Sequence, residues 1–466
     1  MKKQSKHPLF FLILPLLLSL ACGFSIGDLD SESENTPENG ESAAEPTAGT
    51  SGTIRTIPTQ ESGQEATSLP AMPSSSSEGD SSDDVLVMHD PIFIQEERNL
   101  ITTFLFENTD PIAGIEDIEY NVTVTDASGT TIQTETGYID FINAGSRIGV
   151  ASQMYLNEGE VAEGVDIDWV YYMGAEGSVE NPFTFENSRY YFDHSWDRFT
   201  AVMVNNSSSA YTNVRVDVIA YDAGGVVIGG GFTYVDFVPG NDQVGVSING
   251  YVSDDPASFE FFPRLGVLSN TLTNDELTQN LNILQSGFFY NETTLTGGFL
   301  VENTSNQVMK DAQYYITIYE TDGTVAQTAQ GYINLLWPGQ TYGISPGNIQ
   351  LSEGAAPSEF NVYLKSGTLS EDELDANPLT AQDVTYLDDP NYPKVSLTIN
   401  NAHSEVVDNP YLTVLLFNAE DEIIGGDYSY PDPIPANGSL THEIYITLVT
   451  NEPPVRVEAY PTLTSW

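Results

Sequence analysis

The chain has 466 residues, with 67 acidic and 14 basic side chains, a formal net charge of −53 and a single cysteine. A field of that sign repels nucleic acid and anionic lipid headgroups. One cysteine excludes a disulfide framework and cysteine-based metal or redox chemistry, so the fold must be held by buried apolar surface.

The chain opens "MKKQSKHPLFFLILPLLLSLACGF". Lys2, Lys3 and Lys6 form a positive start, an apolar run over 9–20 is broken only by Pro15 and Ser19, and small residues follow. The run is shorter than the roughly 20 apolar residues a membrane-spanning helix needs, and the three-part pattern predicts an export signal over 1–21. "LSLAC" resembles the lipobox of bacterial lipoproteins, whose cysteine thiol is joined to diacylglycerol after cleavage. Ala21 matches the small residue before the cysteine, whereas Ser19 stands where that family usually has Leu. The resemblance implies that Cys22 is lipidated and that the protein is exported and anchored to the outer face of a bacterial membrane, at the cell surface. Without the signal's three lysines the chain carries 56 excess negative charges.

Residues 22–88 are rich in Ser, Glu, Gly, Thr and Pro, as in "PSSSSEGDSSDD". So few apolar side chains cannot offset the entropy of ordering, and the composition predicts a disordered tether. About 65 flexible residues span roughly 45 Å.

From His89 onward the texture is that of strands. "IEYNVTVTD", "VRVDVIAYD" and "YYITIYETD" alternate apolar and polar residues between Gly, Asn, Asp and Pro. Helical patterns are confined to "TNDELTQNLNIL" and "SEDELDANPL", with Thr273 and Ser370 as N-caps.

The texture repeats. Four strand ends carry an Asn, namely "FLFENT" (Asn108), "VMVNNS" (Asn206), "FLVENT" (Asn303) and "LTINNA" (Asn401), spaced by 98, 97 and 98 residues. Phe93, Tyr191, Phe288 and Tyr386 each stand 15 residues earlier. A unit of about 97 residues with six or seven short strands fits an immunoglobulin-like β-sandwich of about 100 residues. Glycines in the recurring turns supply positive φ, and Asp421 replaces them in the fourth unit. The expected architecture is all-β, with four tandem sandwiches over 89–178, 179–272, 273–370 and 371–466. Units one and three are most alike, as are two and four: "GYIDFINAG" matches "GYINLLWPG", and "VVIGG" matches "EIIGG". A duplicated two-domain unit, A-B-A-B, explains that order. It also raises the expectation of two similar binding faces, one in 89–272 and one in 273–466.

"VIAYDAGG" at 218–225 and "ITIYETDG" at 316–323, each followed by a Pro-Gly turn ("FVPG" at 237–240, "LWPG" at 336–339), resemble the FxLyD-type domain, named for its Phe-x-Leu-Tyr-Asp motif and common in bacterial surface lipoproteins. The match is looser in units one ("VTVTDASG") and four ("VLLFNAED"). The resemblance implies a fold and an envelope setting and transfers no functional residue.

No catalytic signature accompanies the repeats. His89, His194, His403 and His442 are scattered without metal-ligand spacing, and no nucleophile elbow, phosphate loop or dinucleotide fingerprint occurs. "GGG" at 229–231 follows a strand and reads as a bulge or a close backbone approach. The acid pairs Asp254-Asp255 and Asp388-Asp389 lack the calcium-loop pattern, which leaves calcium binding open and no other cofactor expected. Aromatic clusters are the remaining lead for binding: Trp169 and Tyr171 in "DWVYYMG", Trp196 after "RYYF", and Trp337 before its Pro-Gly turn. Exposed, they would stack on sugar rings or anchor a partner; on strands they equally form sandwich core. The sequence therefore points to a non-catalytic surface lipoprotein that binds an envelope protein or polysaccharide, or serves as a scaffold. A solute- or carbohydrate-binding lipoprotein and an unrecognised enzyme are the alternatives. Replacing the lipobox cysteine, Cys22→Ala, is expected to abolish incorporation of labelled fatty acid and to release the protein from the membrane fraction. Unchanged labelling would sink the lipoprotein reading.

Overall fold

The computed structural model describes residues 85–464, apart from 177, 194–195, 371–375, 390–391 and 451–452. The signal, Cys22 and the tether up to residue 84 lie outside the described residues. The tether was expected to run to 88, but Leu86 already begins a strand and is 2% exposed in the first core.

One six-strand arrangement recurs four times. In the first repeat, β1 (Leu86–Glu96), β2 (Asn99–Asn108) and β5 (Arg147–Tyr155) form one sheet. β4 (Thr131–Ile142), β3 (Ala113–Thr125) and β6 (Gly164–Glu176) form the other. The second repeat has β7 (Phe183–Asp193), β8 (Trp196–Asn205), β9 (Ala210–Tyr221), β10 (Val227–Val238), β11 (Gln243–Val252) and β12 (Ser258–Leu272). Its two halves merge into one six-stranded sheet in the order β12-β9-β10-β11-β8-β7. The merger runs through Gly229–Gly231, which pair with Gly250–Val252 so closely that a Cβ would strike the backbone of Tyr251, Val218 or Asn249. The "GGG" is thus both a bulge and a close approach.

Helix α1 (Asn274–Leu277) follows with Thr273 as the expected N-cap and Glu276 completing a capping box, but it is one turn long: the end of the expected helix, from Leu281, is strand. The second predicted helix starts at residues outside the described set, and Ser370 ends a strand. In the third repeat β13 (Leu281–Tyr290), β14 (Thr294–Asn303) and β17 (Thr341–Ile344) face β15 (Val308–Glu320), β16 (Val325–Leu336) and β19 (Pro357–Lys365). The short β18 (Ile349–Gln350) and β20 (Thr368–Ser370) extend the two sheets. The fourth pairs β21 (Leu379–Leu387), β22 (Lys394–Asn401) and β25 (Ser439–Tyr445) in one sheet. β23 (Pro410–Phe417), β24 (Ile423–Ser429) and β26 (Arg456–Leu463) form the other. Every pairing is antiparallel, and alternate residues of facing sheets fill the cores.

The recurrent asparagine has a defined task, and it corrects one register. Asn108, Asn205, Asn303 and Asn401 end the second strand of each repeat and are at most 2% exposed. The equivalent residue in the second repeat is thus Asn205, not Asn206, and its aromatic partner 15 residues earlier is Tyr190. Each Asn Nδ2 donates to a carbonyl of the following loop, at Ala113, Ser209, Gln307 or Glu405, over 2.8–2.9 Å. It also donates to the carbonyl that ends the fourth strand, at Ile142, Val238 or Leu336, and in the last repeat to Ile434, which lies beyond the end of β24 and bridges to Val407. Each Oδ1 accepts the backbone N–H two residues on. The turn glycines are also refined: Gly129, Gly225, Gly323 and Asp421 have positive φ, but in the later turns of repeats two and four Asn241 and Asn437 take that conformation instead of Gly240 and Gly438.

Neighbouring repeats dock sheet to sheet in one sense. The β1-β2-β5 type of sheet meets the β4-β3-β6 type of the next repeat at all three junctions. Gly149, Gly245 and Gly343 occupy the same register, each opposite the residue three before the buried Asn. A Cβ there would strike Ile219, Thr317 or Tyr460 of the following repeat. At the second junction the Gly245 N–H donates to Thr317 Oγ1 (2.8 Å) and Tyr315 donates to the Gly245 carbonyl (2.7 Å). At the third, Tyr342 donates to the Tyr460 carbonyl (2.7 Å).

Asn205→Ala should cost about 3 kcal/mol, because it strands several buried carbonyls, whereas Asn206→Ala should cost well under about 1 kcal/mol. Urea denaturation of the two variants measures this; equal losses would refute the corrected register.

Candidate functional site

The charged groups gather at the junctions. Asp217, fully buried on β9, pairs with Arg215 (3.0 Å) and Arg264 (2.9 Å), and accepts the Ala151 N–H of the first repeat at 2.9 Å. Arg215 in turn donates to the Ala151 carbonyl and stacks over Phe232. At the second junction Arg189, 4% exposed, holds Glu320 (2.9 Å) and Asp322 (2.6 Å) of the third repeat. Arg198 reaches Ser352 (2.8 Å). Such buried sets are strongly destabilised by loss of one partner.

Beside the first junction opens a groove of about 550 Å³. Its walls are the ends of β3 and β4, the turn at Asn143, the connecting residues 179–181 and the irregular part of β12 from Phe262 to Thr271. The irregularity is a register shift between Leu265 and Asn270, which leaves Gly266 and Leu268 out of the ladder. A second shift, between Glu116 and Glu119, places Asp117 at φ 50 on the rim. Phe141, Phe262 and Leu265 supply apolar wall; Asp117, Asp140 and Glu180 supply negative charge. Asp140 is exposed at the rim, yet partial desolvation by the walls raises its carboxyl above the ordinary range, reinforced by Asp117 and opposed by Arg264. The two lining arginines are engaged: Arg147 binds Glu260 across the junction, and Arg264 binds Asp217 and the Tyr138 carbonyl. No ion pair among the described residues engages Asp117, Asp140 or Glu180.

The aromatic residues singled out by sequence do not converge. Trp169 is partly buried and meets Phe106 edge-on at 5.6 Å, and Tyr171 packs on the same core. Trp337 is 3% exposed between the third and fourth repeats, so its expected role as a stacking platform is corrected: no face of the indole is free. Trp196 begins β8, and its side chain lies outside the described set. The accessible rings are others. Tyr392 and Tyr445, 68% and 65% exposed, stand edge to face at 6.5 Å beside Lys394 and Asp389. The sequence offered no signal for them, because alternation tells inside from outside of a sandwich but not which outside is covered by a neighbour. His89 contacts Glu107 (3.0 Å) and His442 contacts Ser429 (2.9 Å), in separate repeats. Among the described residues no group of three His, Cys, Asp or Glu is placed to hold a metal ion.

No protein-family model and no curated protein matches the chain. Among solved structures, Escherichia coli alpha-2-macroglobulin activated by porcine elastase is 9% identical, over 81% of this chain and 42% of that one, with a TM-score of 0.14. A beta-glucuronidase from glycoside hydrolase family 2 is 8% identical, over 70% of this chain and 31% of that one, with a TM-score of 0.13. The chain thus spans less than half the length of each, and likeness at that level carries no functional argument.

One strongly perturbed carboxyl lies away from the groove. Asp427, on β24 at the third junction, is pushed up from 3.8 to about 6 by burial, against hydrogen bonds from the Tyr428 and Thr447 backbones. A carboxyl raised by folding stabilises the fold below its unfolded pKa, and that contribution is lost as pH rises through the folded value. Asp427→Asn should therefore gain on the parent chain between about pH 4 and pH 7, by on the order of 2–3 kcal/mol. Urea titrations of both proteins at pH 4, 5 and 7 test this, and parallel pH profiles would refute it.

Proposed function

We propose that this chain is a non-catalytic lipoprotein of the bacterial cell surface. Cys22 anchors it, the acidic segment before residue 85 tethers it, and docked FxLyD-like sandwiches display binding surfaces or act as an envelope scaffold. One observation carries the reading. Of the seven arginines among the described residues, Arg147, Arg189, Arg198, Arg215 and Arg264 bind across a junction between repeats. A chain this poor in cations has placed most of its arginines where they fix one sandwich on the next. That suits a part whose task is to hold surfaces at a set spacing. A transporter's solute-binding protein has two α/β lobes around a hinge; the described residues hold one four-residue helix and three closely packed junctions.

Protease treatment of intact cells tests this reading. Cleavage is expected only ahead of residue 85, releasing the remaining chain as one resistant fragment of unchanged size. Cuts at the junctions, or full protection of the tether on intact cells, would overturn it.

A further inference from the structure

The three junctions share a corner that the fold treats in three ways. Asn143, Pro239 and Trp337 each stand one residue past the end of the fourth strand of their repeat. Facing them in the next repeat are Leu265, Ser366 and Leu463, each following a residue of equivalent register: Arg264 opposite Arg215, Lys365 opposite Gln313, and Thr462 opposite Tyr411.

At the third junction the corner holds the Trp337 indole, packed with Leu335, Leu379 and Leu463. At the second it is closed by α1. Asn274 exchanges two hydrogen bonds with Gly240 (2.7 and 2.8 Å), Leu277 is 1% exposed, and the Leu277 carbonyl accepts the Ser366 N–H at 2.6 Å. At the first, Asn143 instead bonds the connecting segment at Val179 (2.8 and 3.0 Å), and the corner is the open groove. A corner that the same fold closes with its own apolar side chains twice, and leaves lined by Phe262 and Leu265 once, has the build of a ligand site at a domain boundary.

We propose that this groove binds a small organic cation with a flat apolar body about the size of an indole. The size is set by Trp337, which occupies the equivalent corner two repeats on. The charge is set by Asp117, Asp140 and Glu180, which no ion pair among the described residues engages, against two arginines already bound to Glu260 and Asp217. The net charge of −53 concentrates cations at the surface and excludes anions. The inference deepens the binding role proposed above, and the two fail separately: loss of anchoring leaves ligand binding intact, and loss of ligand binding leaves the anchored array intact.

Titration calorimetry of the full chain with tryptamine and with indole-3-acetate, which share the ring and differ in charge, is the test. Tryptamine should bind one to one with a dissociation constant on the order of 0.1 mM, and indole-3-acetate at least about tenfold more weakly. Asn143→Trp, which copies the third junction, should abolish tryptamine binding with an unchanged or higher melting temperature. The double variant Asp117→Asn, Asp140→Asn keeps the groove's shape and should weaken tryptamine about tenfold or more, so it decides the matter even if Asn143→Trp does not fold. Equal binding of the two indoles, two tryptamine sites per chain, or full affinity in the double variant would overturn the proposal.

Discussion

A single buried amide holds each repeat closed. The asparagine that ends the second strand has no solvent to turn to, so its donors and acceptor must be met by protein. It meets them by bridging the loop that crosses between the sheets and a carbonyl at or beyond the end of the fourth strand. Two elements of one sheet and one of the other are thereby fixed at a common point, about 35 residues apart in sequence. Apolar burial favours any compact pairing of two sheets. The amide bracket favours one register, because a slip of one residue would turn it outward and strand the carbonyls it serves.

With the register fixed, the outer face of each sheet becomes a docking surface. Gly149, Gly245 and Gly343 let the next repeat approach the backbone, and the strands behind them are apolar at Leu105 and Val202. The contact is heterologous, one kind of sheet on the other, and such a contact has no internal stop. The stop is written in side chains. In the last repeat the same register carries Thr441 opposite Thr398, flanked by a Lys394–Glu443 pair at 2.7 Å. A Cβ and a hydroxyl replace the glycine, and Ser396, Glu443 and Lys394 continue that register with polar side chains up to the exposed Tyr445. The large negative charge adds repulsion between copies. The arginines at the junctions counter it locally, where two acidic repeats must approach.

Much of this was legible in the chain itself. The all-β class follows from alternation and turn residues, the start of the helix from Thr273, and the repeat from the asparagines. The register of the second repeat was not legible, because "NN" offers two candidates and only burial separates Asn205 from Asn206. The start of the first strand was missed because 86–88 ("LVM") adjoins an acidic Ser-rich run. The groove had no signal at all. It depends on which strand ends meet across a junction, and its acids lie in three places, Asp117 on β3, Asp140 on β4 and Glu180 in the connecting segment. The aromatic residues mislead for the same reason: Trp337 looks exposed beside a Pro-Gly turn, until a neighbouring repeat covers it.

That last point bears on the duplication. An A-B-A-B order suggests two equal faces, and much of the fold does repeat: the same bracket in every repeat and, in the two A repeats, the same docking glycine, Gly149 and Gly343. The corners between A and B do not. In the first pair the corner is open and rimmed by carboxylates; in the second an indole fills it. Nor are the halves independent, since a cut after residue 272 would expose the Arg189 and Tyr315 contacts that join them. The two copies differ in what they keep. The bracket persists in all four repeats, because each needs it to fold, and the glycine persists in the three that dock a following repeat. A corner needs only to be filled, and either a side chain or a ligand can fill it. Divergence is therefore cheapest at the corners, which makes a junction between repeats, more than any face of a single sandwich, the place where such an array can acquire a site.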